Sequence, residues 1–272
     1  MELPKITSRD NSKLKNARSV RDGQERSLVF VEGIRLAEEA HRSGISIDYA
    51  FVSTKGLANA RIGSFMSSIA DAVESYLVAD KLFDSLADTK NSQGIVLLCR
   101  RPQTSVEAFD DRLADRPLKT VVLLTEVNNP SNLGAVARSA EAAALDAMIV
   151  SENSADSFSP RALRSSMGSL FRMPLWTDPP ARRVLEWANR RSLIVTAADP
   201  DGSIDYSAVD WSKPRLLIFG SEAHGLDEEI LGQVHETVRI PLAAGVESLN
   251  LAVSTGVILF EARRQQRADR ED

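Results

Sequence analysis

Along the first hundred residues the apolar positions switch repeatedly between a helical and an extended period. The pattern predicts a basic helix over 11–21, a strand at 28–31, a helix over 35–43 and a strand near 49–52. A helix over 66–72, a short strand at 76–78, a helix over 79–87 and a strongly apolar strand at 94–99 complete this part. Together they predict a small α/β domain over residues 1–100. Residues 101–118 carry Pro102 and Pro117 with mixed charge between two strongly periodic runs, which predicts a linker. From 119 to 272, strands at 120–124, 147–150, 192–197, 216–219 and 235–240 alternate with helices at 133–144, 182–191 and 251–264. Strands this apolar, separated by helices, imply a parallel sheet covered on both faces.

Composition changes the picture little. The chain has 272 residues, 43% hydrophobic and 26% charged, as expected of a soluble protein of two domains. No run approaches the roughly 18 apolar residues of a bilayer span, and the N-terminus is polar, so no membrane partner and a cytoplasmic location are expected. The single Cys99 cannot form an internal disulfide, and His41, His224 and His235 show no metal-ligand spacing, so no metal is expected. A net charge of −5 argues against a protein that coats nucleic acid indiscriminately.

Local charge is more informative. Between 4 and 26, Lys5, Arg9, Lys13, Lys15, Arg18, Arg21 and Arg26 face only Asp10, Asp22 and Glu25, a basic N-terminal arm. Arginines at 161, 164, 172, 182, 183, 190 and 191 face only Asp178 and Glu186, a second basic zone. Charge alone leaves both open to the plainer reading of a solvated face.

Three strand-to-helix loops hold the candidate chemistry, because ligands of parallel sheets gather at the carboxyl ends of strands. In residues 125–144, Pro130 and Gly134 bracket a tight turn, Asn132 is placed to cap the next helix, and Arg138 stands in an alanine-rich helix where a side chain on the buried side needs an anionic partner. Simple helix capping by Ser131 or Asn132 is the alternative. In residues 217–230, Gly220 and Gly225 allow close backbone approach to a ligand, and Glu222 projects from the loop; neither a dinucleotide nor a P-loop spacing occurs. In residues 239–264, a strand ends at Ile240 and Pro241 and a glycine loop follows. Ser248, Leu249 and Asn250 then open a helix, an arrangement suited to an adenosine-type ligand or merely to an N-cap.

N-x-G-x-x-x-R at 132–138, F-G-S-E-x-x-G at 219–225, and I-P-L at 240–242 with S-L-N at 248–250 together resemble the signature of the SpoU (TrmH-like) RNA methyltransferases. Residues 8–100 more loosely resemble the ribosomal-protein-like substrate-binding domain attached to many members. The resemblance implies an α/β catalytic domain over 119–272 with a deep trefoil knot, an exception to unknotted topology. It also implies a homodimer whose active site is completed near the subunit interface. S-adenosylmethionine would meet Gly220, Ile240 and Leu249, with Leu242 and Ser248 close by. Asn132, Arg138, Glu222 and Asn250 would form the catalytic set. Arg138 is the family's proposed base, although a guanidinium stays protonated in proteins and holds an alkoxide or phosphate more readily.

The implied reaction is methylation of a ribose 2′-hydroxyl in structured RNA, with 23S ribosomal RNA favoured over transfer RNA. Lys13, Lys15, Arg18, Arg35, Arg161 and Arg164 are the expected RNA contacts. A catalytically silent RNA-binding or ribosome-assembly factor of the same fold, and a small-molecule enzyme, are the rivals. The presence of the whole catalytic set opposes the first, and the basic arm opposes the second.

Overall fold

A computed structural model describes residues 3–114, 116–222 and 224–268. The chain runs β1 (Lys5–Ile6), α1 (Ser12–Arg21), β2 (Leu28–Glu32), α2 (Ile34–Arg42), β3 (Ile47–Ser53), α3 (Thr54–Leu57), α4 (Ala60–Ser68), β4 (Glu74–Val78), α5 (Asp80–Leu86) and β5 (Ile95–Arg100). It continues through α6 (Val106–Leu113), β6 (Thr120–Leu124), α7 (Pro130–Ala142), β7 (Ala147–Val150), α8 (Pro160–Ser166), α9 (Ser169–Arg172), β8 (Leu175–Thr177) and α10 (Ala181–Arg190). The last elements are β9 (Ile194–Ala198), β10 (Ile204–Asp205), β11 (Arg215–Phe219), α11 (Glu228–Leu231), β12 (Glu236–Arg239) and α12 (Leu251–Ala268). Two compact units result: one of Met1–Pro102 with Phe158–Arg172, the other of Gln103–Ser157 with Met173–Asp272.

The first unit is built on a five-stranded sheet of order β1-β4-β3-β5-β2, in which β5 runs antiparallel to both β3 and β2. Its core gathers Leu14 and Val20 of α1, Phe30, Phe51, Val96 and Leu98 of the sheet, and Phe83 of α5. The basic arm is therefore no free extension. Ile6, Leu14, Ala17 and Val20 are buried, so residues 5–21 are strand and helix of the unit itself. The helix expected at 66–72 lies earlier, because the Asn59 side chain caps it by accepting from the amides of Arg61 and Ile62. Starting there turns Ile62, Phe65 and Met66 inward.

Chain segment 158–172 belongs with this unit, although it follows β7 in sequence. α8 packs on β2, Arg164 pairs with Asp88 at 2.7 Å, and Arg172 pairs with Glu39. Gly168 has φ +90°, and an added Cβ would run into the Glu39 side chain, so only glycine fits the turn.

The second unit carries a seven-stranded sheet, β10-β12-β9-β11-β6-β7-β8, with every neighbouring pair parallel, as its apolar strands predict. On one face Val121, Leu123, Val195 and Ile218 meet Phe109 of α6 and Val184 and Trp187 of α10. Phe109, Trp176 and Trp187 pack with ring centroids 5.5–6.4 Å apart. Each such aromatic buries about 150–250 Å² and contributes about 4–6 kcal/mol at 25 cal/mol per Å², an upper figure. The alternate strand positions turn to the opposite face, where α12 packs along α7. The stretch 101–118 read as linker thus holds α6. Ser105 caps it, and its buried Phe109 and Leu113 tie it to the second core. Asp115 lies outside the described residues.

Candidate active site

The carboxyl ends of β9, β11 and β12 open on a cavity of about 460 Å³. Its walls come from Ala198, Asp199 and Pro200 at the end of β9, from Phe219 to Glu222 at the end of β11, from Ile240 and Leu242 after β12, from Ser248 to Leu251 at the start of α12, and from Ile258 two turns further along that helix. All five residues expected to hold the cofactor, Gly220, Ile240, Leu242, Ser248 and Leu249, line it. Its volume falls within the roughly 300–1,000 Å³ of small-ligand sites. Apolar walls of Phe219, Ile240, Leu242 and Leu249 suit a flat heterocycle, and the carboxylates of Asp199 and Glu222 suit a cationic centre. The donor set fits S-adenosylmethionine.

The loop after β11 folds onto itself. Ser221 N–H donates to the Gly225 carbonyl at 2.9 Å, and Gly225 N–H returns a bond to Ser221 at 3.0 Å. An added Cβ on Gly220 would collide with the Gly225 carbonyl and the Leu226 amide, and Gly225 has φ +67°. Both glycines are therefore required by the loop's closure on itself, and both also line the cavity. Ala223 lies outside the described residues.

Asn132 is not the helix cap. α7 begins at Pro130, and Asn129 caps it by accepting from the Ser131 amide at 3.0 Å. Asn132 sits in the first turn with its side chain released for other bonds. Its Nδ2 donates to Glu222 Oε1, and its Oδ1 accepts from Asn250 Nδ2 at 3.2 Å. Asn250 Oδ1 in turn accepts from the Ala252 amide at 3.0 Å at the start of α12. Each amide is oriented by the next, so donation runs in one direction, from Asn250 through Asn132 to the Glu222 carboxylate. That chain joins three of the four expected catalytic residues.

Arg138 stands apart. The sequence placed it on the buried side of α7; it is exposed, with no hydrogen bond or ion pair among the described residues, and it does not line the cavity. The buried positions of α7 are Leu133, Gly134, Val136, Ala137 and Ala140, so the helix turns position 138 outward.

The expected RNA contacts also divide. Lys13 lies 3.9 Å from the centroid of the Tyr49 ring and pairs with Glu74 at 3.3 Å, and Lys15 pairs with Asp10 at 2.9 Å. Arg18 donates to the Arg9 carbonyl and the Ser85 hydroxyl, and Arg164 is held by Asp88. Arg161 lies on α8 of the first unit and has an interaction partner, while Arg35 is exposed and has no hydrogen bond or ion pair among the described residues. Asp199 was missed by the sequence reading. The abrupt end of an apolar strand at Asp199–Pro200 was the available signal, since strand ends are where such sites form.

A parallel sheet with a cavity at its strand ends and an amide-to-carboxylate chain on the rim is the architecture of an α/β enzyme that binds a nucleoside-like ligand. The SpoU rRNA Methylase family matches residues 119–260, and the MRM3-like substrate binding domain matches residues 11–97. The chain belongs to the SpoU rRNA methylase family. It is 30% identical over 97% of its length to an uncharacterised tRNA/rRNA methyltransferase of Synechocystis, covering 95% of that protein. It is also 28% identical over 96% of its length to all of the 23S rRNA (guanosine(2553)-2′-O)-methyltransferase RlmP of Bacillus subtilis. Among solved structures, the SpoU methyltransferase AviRb of Streptomyces viridochromogenes in complex with AdoMet superposes with TM-score 0.86 at 25% identity, over 95% of this chain and 99% of that one.

Proposed function

We propose that this protein methylates a ribose 2′-hydroxyl of 23S ribosomal RNA, with S-adenosylmethionine held in the cavity at the ends of β9, β11 and β12. The observation that carries this reading is the directed chain from Asn250 through Asn132 to Glu222 at the cavity rim. When bound, the cofactor supplies an electrophilic methyl group on a cationic sulfur. Methyl transfer is an in-line displacement, so the protein must align the hydroxyl and stabilise the charge that develops on it. Glu222, oriented by Asn132, keeps acceptor capacity with which to take a hydrogen bond from the ribose hydroxyl. Asn250 fixes Asn132 and ties the start of α12 to the same network.

Arg138 serves as an electrostatic clamp for alkoxide or phosphate, because a guanidinium does not give up its proton readily. Its exposure and its absence from the cavity of its own chain support a homodimer in which it reaches a partner's cavity. Val253 and Phe260, about half exposed and one heptad apart on α12, support the same reading. The return of the chain from β12 through the 240–250 loop to α12, which packs on α7, supports the deep trefoil knot. The first unit is the RNA-binding part. No helix among the described residues is long and apolar enough to cross a membrane, which fits work on ribosomal RNA in the cytoplasm.

The test is transfer of labelled methyl groups to total RNA from cells lacking the protein, comparing wild type with Arg138→Ala and Asn132→Ala and mapping the product. Modification of one 23S position, abolished by Arg138→Ala, is the expected result. Incorporation into transfer RNA alone would move the substrate, and no incorporation into any RNA with cofactor bound would defeat the reading. Sedimentation of Phe260→Glu as a monomer, against a wild-type dimer, checks the assembly.

A further inference from the structure

The cavity at the ends of β9, β11 and β12 holds two carboxylates, and the sheet order sets them apart. Glu222 follows β11 and is bonded to Asn132, at the start of the helix that follows β6. Asp199 follows β9, which lies on the other side of β11 from β6. With neighbouring strands about 4.8 Å apart, the ends of β9 and β6 are separated by roughly 10 Å. Both charges favour a cationic sulfur through space, but only Glu222 belongs to the amide chain where transfer takes place.

Asp199 is held firmly in place. Its N–H donates to the Val238 carbonyl at 2.9 Å, and its carbonyl accepts from the Gly202 amide at 3.0 Å. Its Oδ1 accepts from the Asp201 amide at 2.8 Å. The rest of the loop is fastened along β12: Ser203 N–H donates to Thr237 Oγ1 at 3.0 Å, and Arg239 reaches the Gly202 carbonyl at 3.1 Å and the Asp205 carboxylate at 2.8 Å. An added Cβ on Gly202 would lie 2.5 Å from the Val238 backbone, so the loop runs directly against that strand. Asp199 Oδ2 is left with no hydrogen bond or ion pair among the described residues. A half-buried carboxylate with one oxygen committed to its own loop has the other to offer a ligand.

The neighbour of β9 on the side away from β11 is β12, whose continuation supplies Ile240 and Leu242. These two are half-buried apolar walls suited to the heterocycle of the cofactor, and the group bonded directly to that heterocycle is the ribose. A cis-diol brings two O–H donors, for which one free carboxylate oxygen is a sufficient acceptor. An ammonium brings three, and one oxygen would leave two without a partner. An acidic side chain set after a parallel strand holds ribose hydroxyls in dinucleotide-binding sheets by the same chemistry. We propose that Asp199 anchors the ribose of the cofactor, its Oδ2 accepting a hydrogen bond from the 2′- or 3′-hydroxyl. The proposal rests on the reading of this cavity as the S-adenosylmethionine site and makes Asp199 a binding residue selective for a ribonucleoside.

The test is titration calorimetry of the full chain with S-adenosylhomocysteine and with its 2′,3′-dideoxy counterpart, neither of which carries a sulfonium charge. Wild type should bind the diol roughly tenfold more tightly than the dideoxy ligand. Asp199→Asn keeps an oxygen for the Asp201 amide but removes the charge that strengthens the bond to the hydroxyl, so the ratio should fall to about threefold or less. Asp199→Ser keeps the loop bond with a side chain too short to reach the ligand, and serves if the first variant does not fold; its ratio should approach about one. Equal binding of the two ligands by wild type would overturn the assignment. So would a folded variant that loses affinity for both ligands alike, because an unchanged ratio places the carboxylate against the homocysteine ammonium instead. A wild type that binds S-adenosylmethionine without preferring the diol loses only the role of Asp199. One that binds neither S-adenosylmethionine nor S-adenosylhomocysteine loses the reading of the cavity, and the role with it.

Discussion

The two sheets of this protein solve different problems. In the second unit all seven strands are parallel, so every carboxyl end falls on one edge and loops far apart in sequence converge there. That convergence brings Asp199, Gly220, Ile240 and Ser248 to one cavity. In the first unit β5 runs against its neighbours, so the edge that holds a smaller pocket, lined by Ile34, Arg35, Asn59, Arg61, Ile62 and Gln93, mixes two strand ends with one strand start. Fewer loops meet there, and the pocket is made mostly from helix starts and their caps. Parallel topology gathers loops from across the sequence to one place, whereas the mixed sheet divides its strand ends between two edges.

Substitutions can break or sharpen this contrast. The largest effect is expected from Phe109→Ala, which removes the centre of the aromatic cluster and should destabilise the second unit by about 3–5 kcal/mol. All three tryptophans, Trp176, Trp187 and Trp211, lie in that unit, so tryptophan fluorescence during urea unfolding reports on it selectively. An unmoved midpoint would separate α6 from that core. Next, Gly220→Ala forces the loop after β11 open and should weaken S-adenosylmethionine binding roughly 100-fold by titration calorimetry, a strain of about 1–3 kcal/mol. Asn132→Ala leaves the cavity intact but releases Glu222, so the turnover rate should fall roughly tenfold while cofactor affinity holds within about twofold. A matching fall in cofactor affinity would instead place Asn132 in binding.

The smallest effect concerns the first unit. The Arg61 guanidinium holds the Glu38 carboxyl below the usual carboxylate range, against the opposing pull of partial burial. A depressed folded pKa contributes stability above the unfolded value of about 4.3 and loses it as pH falls through the folded value. Because Arg61 is half exposed, Glu38→Gln should cost only about 0.5 kcal/mol at pH 7, and the difference should close as the pH falls below the ordinary carboxylate range, followed by far-ultraviolet dichroism. A difference that persists in acid would point to packing.

The longer strands were legible in the sequence because their apolar runs are long and their burial nearly complete, as for residues 120–124 and 215–219, whereas the two- and three-residue strands β1, β8 and β10 are too short to leave a pattern and were missed. The cofactor loops were legible as ordered motifs. Helix starts were less so, since several polar residues compete for each cap: Asn129 displaced Asn132, and Asn59 drew α4 earlier. The signal for α6, Ser105 followed by Val106, Phe109 and Leu113, was present but masked by flanking prolines and charge. Attachment of residues 158–172 to the first unit was not legible at all. It depends on Asp88 and Glu39 meeting Arg164 and Arg172, pairings made only in three dimensions.

The order in which the cavity's walls are made has a consequence for synthesis. The β9 and β11 walls precede the 240–258 wall, and the amide chain is closed by Asn250 alone. At roughly 5–20 residues per second, a nascent chain passes several seconds with its first two walls made and its cofactor site unformed. Cofactor capture is thus a late event in the life of each new molecule, and a product released before residue 250 would be inert toward the ribosome that made it.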